Sequence, residues 1–233
     1  MTPGTAPLAV ALFLVTGAAR CFAGQLVVVE ARGIGLQPGA ALDDGKPVVL
    51  QEGQHLTLIA ANGVTLKLDG PYNQVPEVPQ SGDVIQLAIN ALVTQQGARS
   101  EIGATRAGRT TTVLPDPWLI DVSQSGTVCL LEGQQPIFWR PSAAVAAEMS
   151  VWPTDRSWRA HATWPAGSDR LLIPETLPVH GGATYLISLN GSEQVAVTVS
   201  LVPANLSSIP MRAAWMAHQR CEAQAEALLR QAR

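Results

Sequence analysis

The stretch 53-GQHLTLIAANGVTLKLDGPY-72 holds two alternating runs on either side of Ala61-Asn62-Gly63. Leu56, Leu58 and Ala60 alternate with His55, Thr57 and Ile59, and Val64, Leu66 and Leu68 alternate with Thr65, Lys67 and Asp69. A period of two is that of strands with one buried face. Asn62-Gly63 is a familiar two-residue turn signal, but that register sets Leu66 against Ile59 and Lys67 against Leu58, with the apolar rows on opposite faces. A three-residue loop, with Gly63 in the left-handed conformation, pairs Ala60 with Val64, Leu58 with Leu66 and Leu56 with Leu68. That register also sets Thr57 opposite Lys67 and His55 opposite Asp69, so His55 has a cross-strand partner and needs no catalytic role.

Outward from this hairpin the same pattern recurs. Toward the N-terminus, 25-QLVVVEA-31 and 46-KPVVLQ-51 read as strands punctuated by Gly39, Gly45 and Gly53, and Asp43-Asp44-Gly45 reads as a turn, no further carboxylate following at calcium-ligand spacing. After the prolines of 75-VPEVPQSGD-83 the spacing of Val84, Leu87, Ala88, Ala91 and Leu92 predicts a helix capped by Asp83 and stopped near Gly97. The polar segment 97-GARSEIGATRAGRTTTVLPDP-117 reads as a linker with three trypsin sites. From Trp118 onward, 118-WLIDVS-123, 126-GTVCLLEG-133, 136-PIFWRP-141, 147-AEMSVWP-153, 158-WRAHATW-164, 170-RLLIP-174, 184-TYLISLNG-191 and 193-EQVAVTVSLVP-203 are short runs broken by Gly, Pro, Ser and Asn, as in an all-β sandwich. A closing helix, capped by Ser208, places Ala214, Ala217, Cys221, Ala225 and Leu228 on one stripe.

The chain is therefore expected to be mainly β: a small β-roll or sandwich module over 24–75, a helix and linker over 76–117, and a β-sandwich with a C-terminal helix over 118–233. All six tryptophans lie between Trp118 and Trp215, whereas Tyr72 is the only aromatic residue between Ala23 and Trp118, which argues for two differently built cores. No internal repeat of fixed period is present.

The apolar run 8-LAVALFLV-15 followed by Cys21-Phe22-Ala23 is expected to be a signal peptide, residues 1–23, cleaved after Ala23. Arg20 and Ala18 do not fit a lipoprotein signal at Cys21. No later segment reaches the ~18 apolar residues of a spanning helix. Cleavage leaves Cys129 and Cys221, an even pair expected to form a disulfide in an oxidising compartment. Two lysines accompany 13 arginines, a bias that with the signal points to the periplasm of a Gram-negative bacterium. The net charge of −3 and the scattered basic residues give no footprint for nucleic acid.

The hydrolase motifs H-E-x-x-H, G-x-S-x-G and S-x-x-K are absent, as is a phosphate-binding Gly-Lys-Ser/Thr. No catalytic residue, cofactor or metal site is therefore assigned, although a dispersed Ser/His/Asp set needs no sequence motif. His161 falls with Arg159 and Thr163 on the solvated face of its strand, and His218 with Cys221 makes only two ligands where zinc needs more. The remaining site candidate is aromatic: Trp152, Trp158 and Trp164 beside Arg156 and Arg159, a composition used by glycan- and peptide-binding faces and equally by a sandwich that fills its core with tryptophan.

Gly39, Leu42, Gly45, Val48-Val49-Leu50, Gly53 and the hairpin ending in Leu68-Asp69-Gly70 resemble the β-rich periplasmic module of FecR-like proteins. The chain as a whole, through 118-WLIDVSQSGTVCLLEG-133, 137-IFWRP-141 and 215-WMAHQRCEAQAEALL-229, resembles uncharacterised exported proteins of Gram-negative bacteria. The resemblance implies a periplasmic fold that touches other proteins or envelope components, and supplies no catalytic residue; the cytoplasmic part and spanning helix through which FecR-like proteins signal have no counterpart in the sequence read. The expected function is an exported periplasmic binding or assembly protein without catalytic activity, its partner an envelope protein or glycan. The alternatives are a carbohydrate-binding protein using the Trp152–Trp164 region and a hydrolase with dispersed residues around His161 or His180.

Overall fold

The computed structural model describes residues 24–79, 113–192 and 194–232. The expected signal peptide, the helix begun at Asp83 and residues 97–112 of the expected linker lie outside these. The described chain is mainly β, with fourteen strands and two C-terminal helices.

The hairpin 53–72 forms as read. Strand β4 (His55–Ala60) pairs antiparallel with β5 (Thr65–Asp69), with His55 opposite Asp69, Leu56 opposite Leu68, Thr57 opposite Lys67 and Leu58 opposite Leu66. Ala60 and Val64 close the loop through an N–H to carbonyl bond of 2.9 Å, and Gly63 takes φ +83°. Two further strands, β1 (Gln25–Arg32) and β2 (Ala41–Asp43), complete a four-stranded sheet of order β2-β1-β4-β5. The Asp43 turn ends β2, its carboxylate accepting from the Gly45 N–H at 3.0 Å. A two-stranded ribbon of β3 (Val48–Leu50) and β6 (Tyr72–Gln74) lies alongside. Between them Leu26, Val28, Leu50, Leu56, Leu58 and Ala60 form the inner core. Gly70 must be glycine here, since a β-carbon would lie 1.8 Å from the Gln51 carbonyl oxygen.

The second part is a sandwich. Its larger sheet has the order β11 (Ala160–Trp164), β10 (Ala147–Pro153), β13 (Thr184–Leu189), β14 (Val195–Val202), β8 (Gly126–Leu131), with β8 parallel to β14. The smaller sheet is β12 (Arg170–Leu172), β9 (Ile137–Trp139), β7 (Leu119–Asp121). Met149, Val151, Tyr185, Ile187, Val197 and Val199, with Trp164 of the same sheet, face Ile120 and Phe138 across the sandwich core.

The chain ends differently from the single helix expected. Helix α1 (Ile209–His218) stops at Gln219, and α2 (Glu222–Gln231) begins after Cys221. Arg220 stands in the left-handed region at φ +67°, the Cys221 N–H returns to the Met216 carbonyl and the Arg220 N–H to that of Ala217. These two bonds make a Schellman ending, which explains the break. Ser208 caps α1 as expected, accepting from the Met211 N–H at 3.2 Å, and donates its own hydroxyl hydrogen to the Ala61 carbonyl in the hairpin loop.

That contact shows where the helices sit. The hairpin face bearing His55, Thr57 and Ile59 is solvated only in part, because Ile59, Val27 and Val29 are buried under α1. The same core takes Met211, Trp215 and Met216 from α1, Leu228 and Leu229 from α2, and Cys129 and Val202 from the larger sandwich sheet. Cys129 and Cys221 form a disulfide with Cα atoms 5.8 Å apart, as expected from the even pair. Beside it the Gln224 carboxamide, 2% exposed, accepts from the Cys129 N–H at 2.5 Å and donates to the carbonyls of Cys129, Pro117 and Leu119. Gln224 thus closes the gap between β8 and β7 as a short strand segment would. The tail of the expected linker is anchored here as well, Leu114 packing against Leu119, Trp139 and Ala227.

Candidate functional site

The aromatic candidates separate once the strands are drawn. In β10, Ala147, Met149 and Val151 face the sandwich core, so Trp152 falls on the opposite face of the sheet. In β11, Ala160, Ala162 and Trp164 face that core, and Trp158 joins them from just before the strand. Trp164 is fully buried, and the Arg140 guanidinium lies 4.9 Å from its ring centre while bonding the Pro165 and Ser168 carbonyls. Trp158 is half-buried with its ring centre 5.9 Å from that of Tyr185. Trp152 is buried beneath the Arg159 guanidinium, 4.4 Å from its ring centre. The three rings thus form no exposed platform. Arg156 stands apart from them at an exposed turn, in the left-handed region at φ +57°.

The outer face of the larger sheet is polar, and cross-strand pairs organise it. Glu148 accepts from the Thr163 hydroxyl at 2.9 Å, Ser150 Oγ contacts His161 Nδ1 at 2.9 Å, and the Thr184 and Thr198 hydroxyls meet at 2.8 Å. A serine bonded to an imidazole is the opening element of a hydrolase. Here the pair stands exposed on an open sheet face, and Glu148 engages Thr163 instead of orienting the ring. The arrangement serves as one of a row of pairs that stabilise a sheet. His55, bonded through Nδ1 to Asp69 at 2.6 Å, is another such pair. His180 is exposed, and its backbone N–H donates to the Tyr185 hydroxyl at 2.8 Å. Cys221, held in the disulfide, offers His218 no thiolate to share a metal.

Sequence reasoning missed the cleft at the foot of α1. Thr127 on β8 lies level with Thr198 on β14, and Ser200 follows two residues on, so three hydroxyl-bearing residues floor one end of the outer face where the helix stops short. The loop at Gly181-Gly182 forms one wall, and His218, Gln219 and Arg220 form the other. The space measures about 520 Å³ and none of the described residues lining it is acidic. Such a volume falls within the range of small-molecule sites. His218 has its pKa lowered, first by desolvation and then by the positive charge of Lys67, while Glu30 pulls the other way. The ring therefore favours its neutral form, able to donate from one nitrogen and accept at the other. The signal that could have located this site is the pairing of threonines in β8 and β14 with a helix end carrying His218 and Arg220, but only the parallel β8–β14 register brings them together.

Compared with protein-family models, with curated proteins and with solved structures, the chain matches none.

Proposed function

We propose that the chain is an exported periplasmic protein that binds, or helps to assemble, an envelope component and catalyses no reaction itself. The observation that carries this reading is the cleft of Thr127, Thr198, Ser200, His218 and Arg220, which gathers hydrogen-bonding side chains of several kinds around a space of small-molecule size. The disulfide supports an oxidising compartment, as do the apolar run at 8–15 and the small residues ending at Ala23. The likeness of the N-terminal β module to FecR-like proteins agrees with an envelope setting. A net charge of −3 without a basic patch supports a protein or glycan partner over nucleic acid.

The test is affinity capture from the periplasm with the tagged full chain, alongside Thr127→Trp, which fills the cleft from an edge strand. A component retained by the wild type and lost from the folded variant is expected, and identical retention by both would overturn the cleft as binding surface. The Ser150–His161 contact is where a hydrolase reading would begin. Incubation with a serine-directed fluorophosphonate is expected to leave Ser150 unlabelled, and a stoichiometric adduct there would reverse the noncatalytic reading.

A further inference from the structure

We propose that the cleft binds the anionic group, carboxylate or phosphate, of a hydroxylated ligand, with the Arg220 guanidinium as charge partner and the hydroxyls of Thr127, Thr198 and Ser200 as hydrogen-bond donors. The inference rests on the reading of this cleft as the binding surface.

Charge supplies the first argument. The protein is acidic overall, yet no carboxylate lines this space among the described residues. Arg32 pairs with Glu30, Arg230 with Glu226, Arg140 is consumed by backbone carbonyls and Arg159 covers Trp152. Arg220 is exposed and pairs with no carboxylate among the described residues. A guanidinium without a carboxylate partner among the described residues, lining the same space as the hydroxyl-bearing Thr127, Thr198 and Ser200, offers a planar, two-pronged donor to a carboxylate or phosphate, with further donors nearby. The space is larger than a simple ion needs, and Gln219 and His218 on its rim suit a ligand that also carries hydroxyls.

Backbone conformation supplies the second. Arg220 is the left-handed residue that ends α1, a position where glycine is favoured because a β-carbon crowds the backbone. An arginine held there costs stability relative to glycine and sets the side chain on the wall of the cleft. A cation near a helix C-terminus also interacts favourably with the helix dipole, so binding must be measured separately from stability.

The chain offers a matched control. Arg156 is a second exposed arginine in the left-handed region, at φ +57°, and is not among the residues that line the cleft. Amide NMR titrations of the full chain at low ionic strength, with sodium glucuronate, with inorganic phosphate and with glucose as neutral counterpart, are the test. Glucuronate, phosphate or both should shift the Thr127, Thr198, Ser200 and Arg220 resonances saturably while glucose does not. Saturation by phosphate alone would identify a phosphoryl group, and by glucuronate alone a carboxylate. Arg220→Gly should raise Tm and weaken that response at least tenfold, whereas Arg156→Gly should raise Tm and leave it unchanged. An anion response that survives Arg220→Gly, or that is equally strong around Arg156 and Arg159, would overturn the assignment. Equal shifts with glucose would overturn the anionic class while leaving the cleft a binding site. Silence with all three probes would also overturn the anion assignment, and the Thr127→Trp capture then decides the binding reading separately.

Discussion

Gln224 is a buried residue on which four backbone groups depend. Its carboxamide satisfies one N–H and bonds three carbonyls, all on strands or strand entries that belong to different sheets. Nothing in the sequence marks it, because a glutamine in a polar-looking helical run reads as solvent-facing; only the approach of α2 to the gap between β7 and β8 buries it. Replacing it by leucine keeps the volume but leaves the Cys129 N–H without a partner in an environment closed to water. Gln224→Leu should therefore lose about 2–4 kcal/mol of stability in urea unfolding, the range expected when buried polar groups lose their partners. A loss below about 0.5 kcal/mol would show that water replaces the carboxamide. The tryptophans teach the opposite lesson, since the alternation of Ala147, Met149 and Val151 already sets Trp152 on the other face. Proximity in sequence concealed a parity that was readable.

At the scale of elements, period-two patterns were legible because each strand has one face against a core. The hairpin register followed from keeping Leu56, Leu58, Leu66 and Leu68 on one side, an argument internal to twenty residues. The break between α1 and α2 was not legible, because Arg220 is an uncommon left-handed terminator and the periodic stripe of alanines runs through it. What fixes α2 is Cys221, tied to Cys129 across a separation of 92 residues. The chain-entropy estimate for a loop of that length is about 4–5 kcal/mol, so the bond contributes a large part of an ordinary stability of about 5–15 kcal/mol. Alkylation of the unfolded, unreduced chain is expected to find neither Cys129 nor Cys221 free. Reduction should lower the urea midpoint by the equivalent of about 3–5 kcal/mol, and a shift of less than about 1 kcal/mol would mean that packing alone holds α2.

At the scale of the whole molecule, His218 is the described histidine whose pKa is lowered, by desolvation and by Lys67, with Glu30 opposing from the same four-stranded sheet. Its folded pKa lies below the ordinary value, so in acid the unfolded state binds the proton more readily. The stabilisation is present above about pH 6.5 and is lost as pH falls through the folded pKa. Much of the residue is open to solvent, so the loss is slight. Melting curves from pH 7.5 to 5 should show a shallow decline that His218→Gln flattens, and an unchanged slope in the variant would place the acid sensitivity elsewhere.

The two parts read from the sequence share one core, and this was beyond sequence reasoning because Ile59 and Val27 look like ordinary strand residues until α1 covers them. The coupling can be measured because all six tryptophans lie at Trp118 and beyond, and four of them, Trp139, Trp152, Trp158 and Trp164, lie outside the cluster shared with the first part, so most of the fluorescence reports on the sandwich. Ile59 is fully buried in the first part, against the cluster containing Met211, Trp215 and Met216. Ile59→Ala removes three methyl or methylene carbons from that cluster and should cost about 2–4 kcal/mol. If the shared core binds the parts into one cooperative unit, the variant shifts the tryptophan transition of the distant sandwich by that full amount, and circular dichroism shows the same single midpoint. A tryptophan transition left in place, with an earlier one in circular dichroism alone, would instead mean that the four-stranded sheet unfolds by itself from α1.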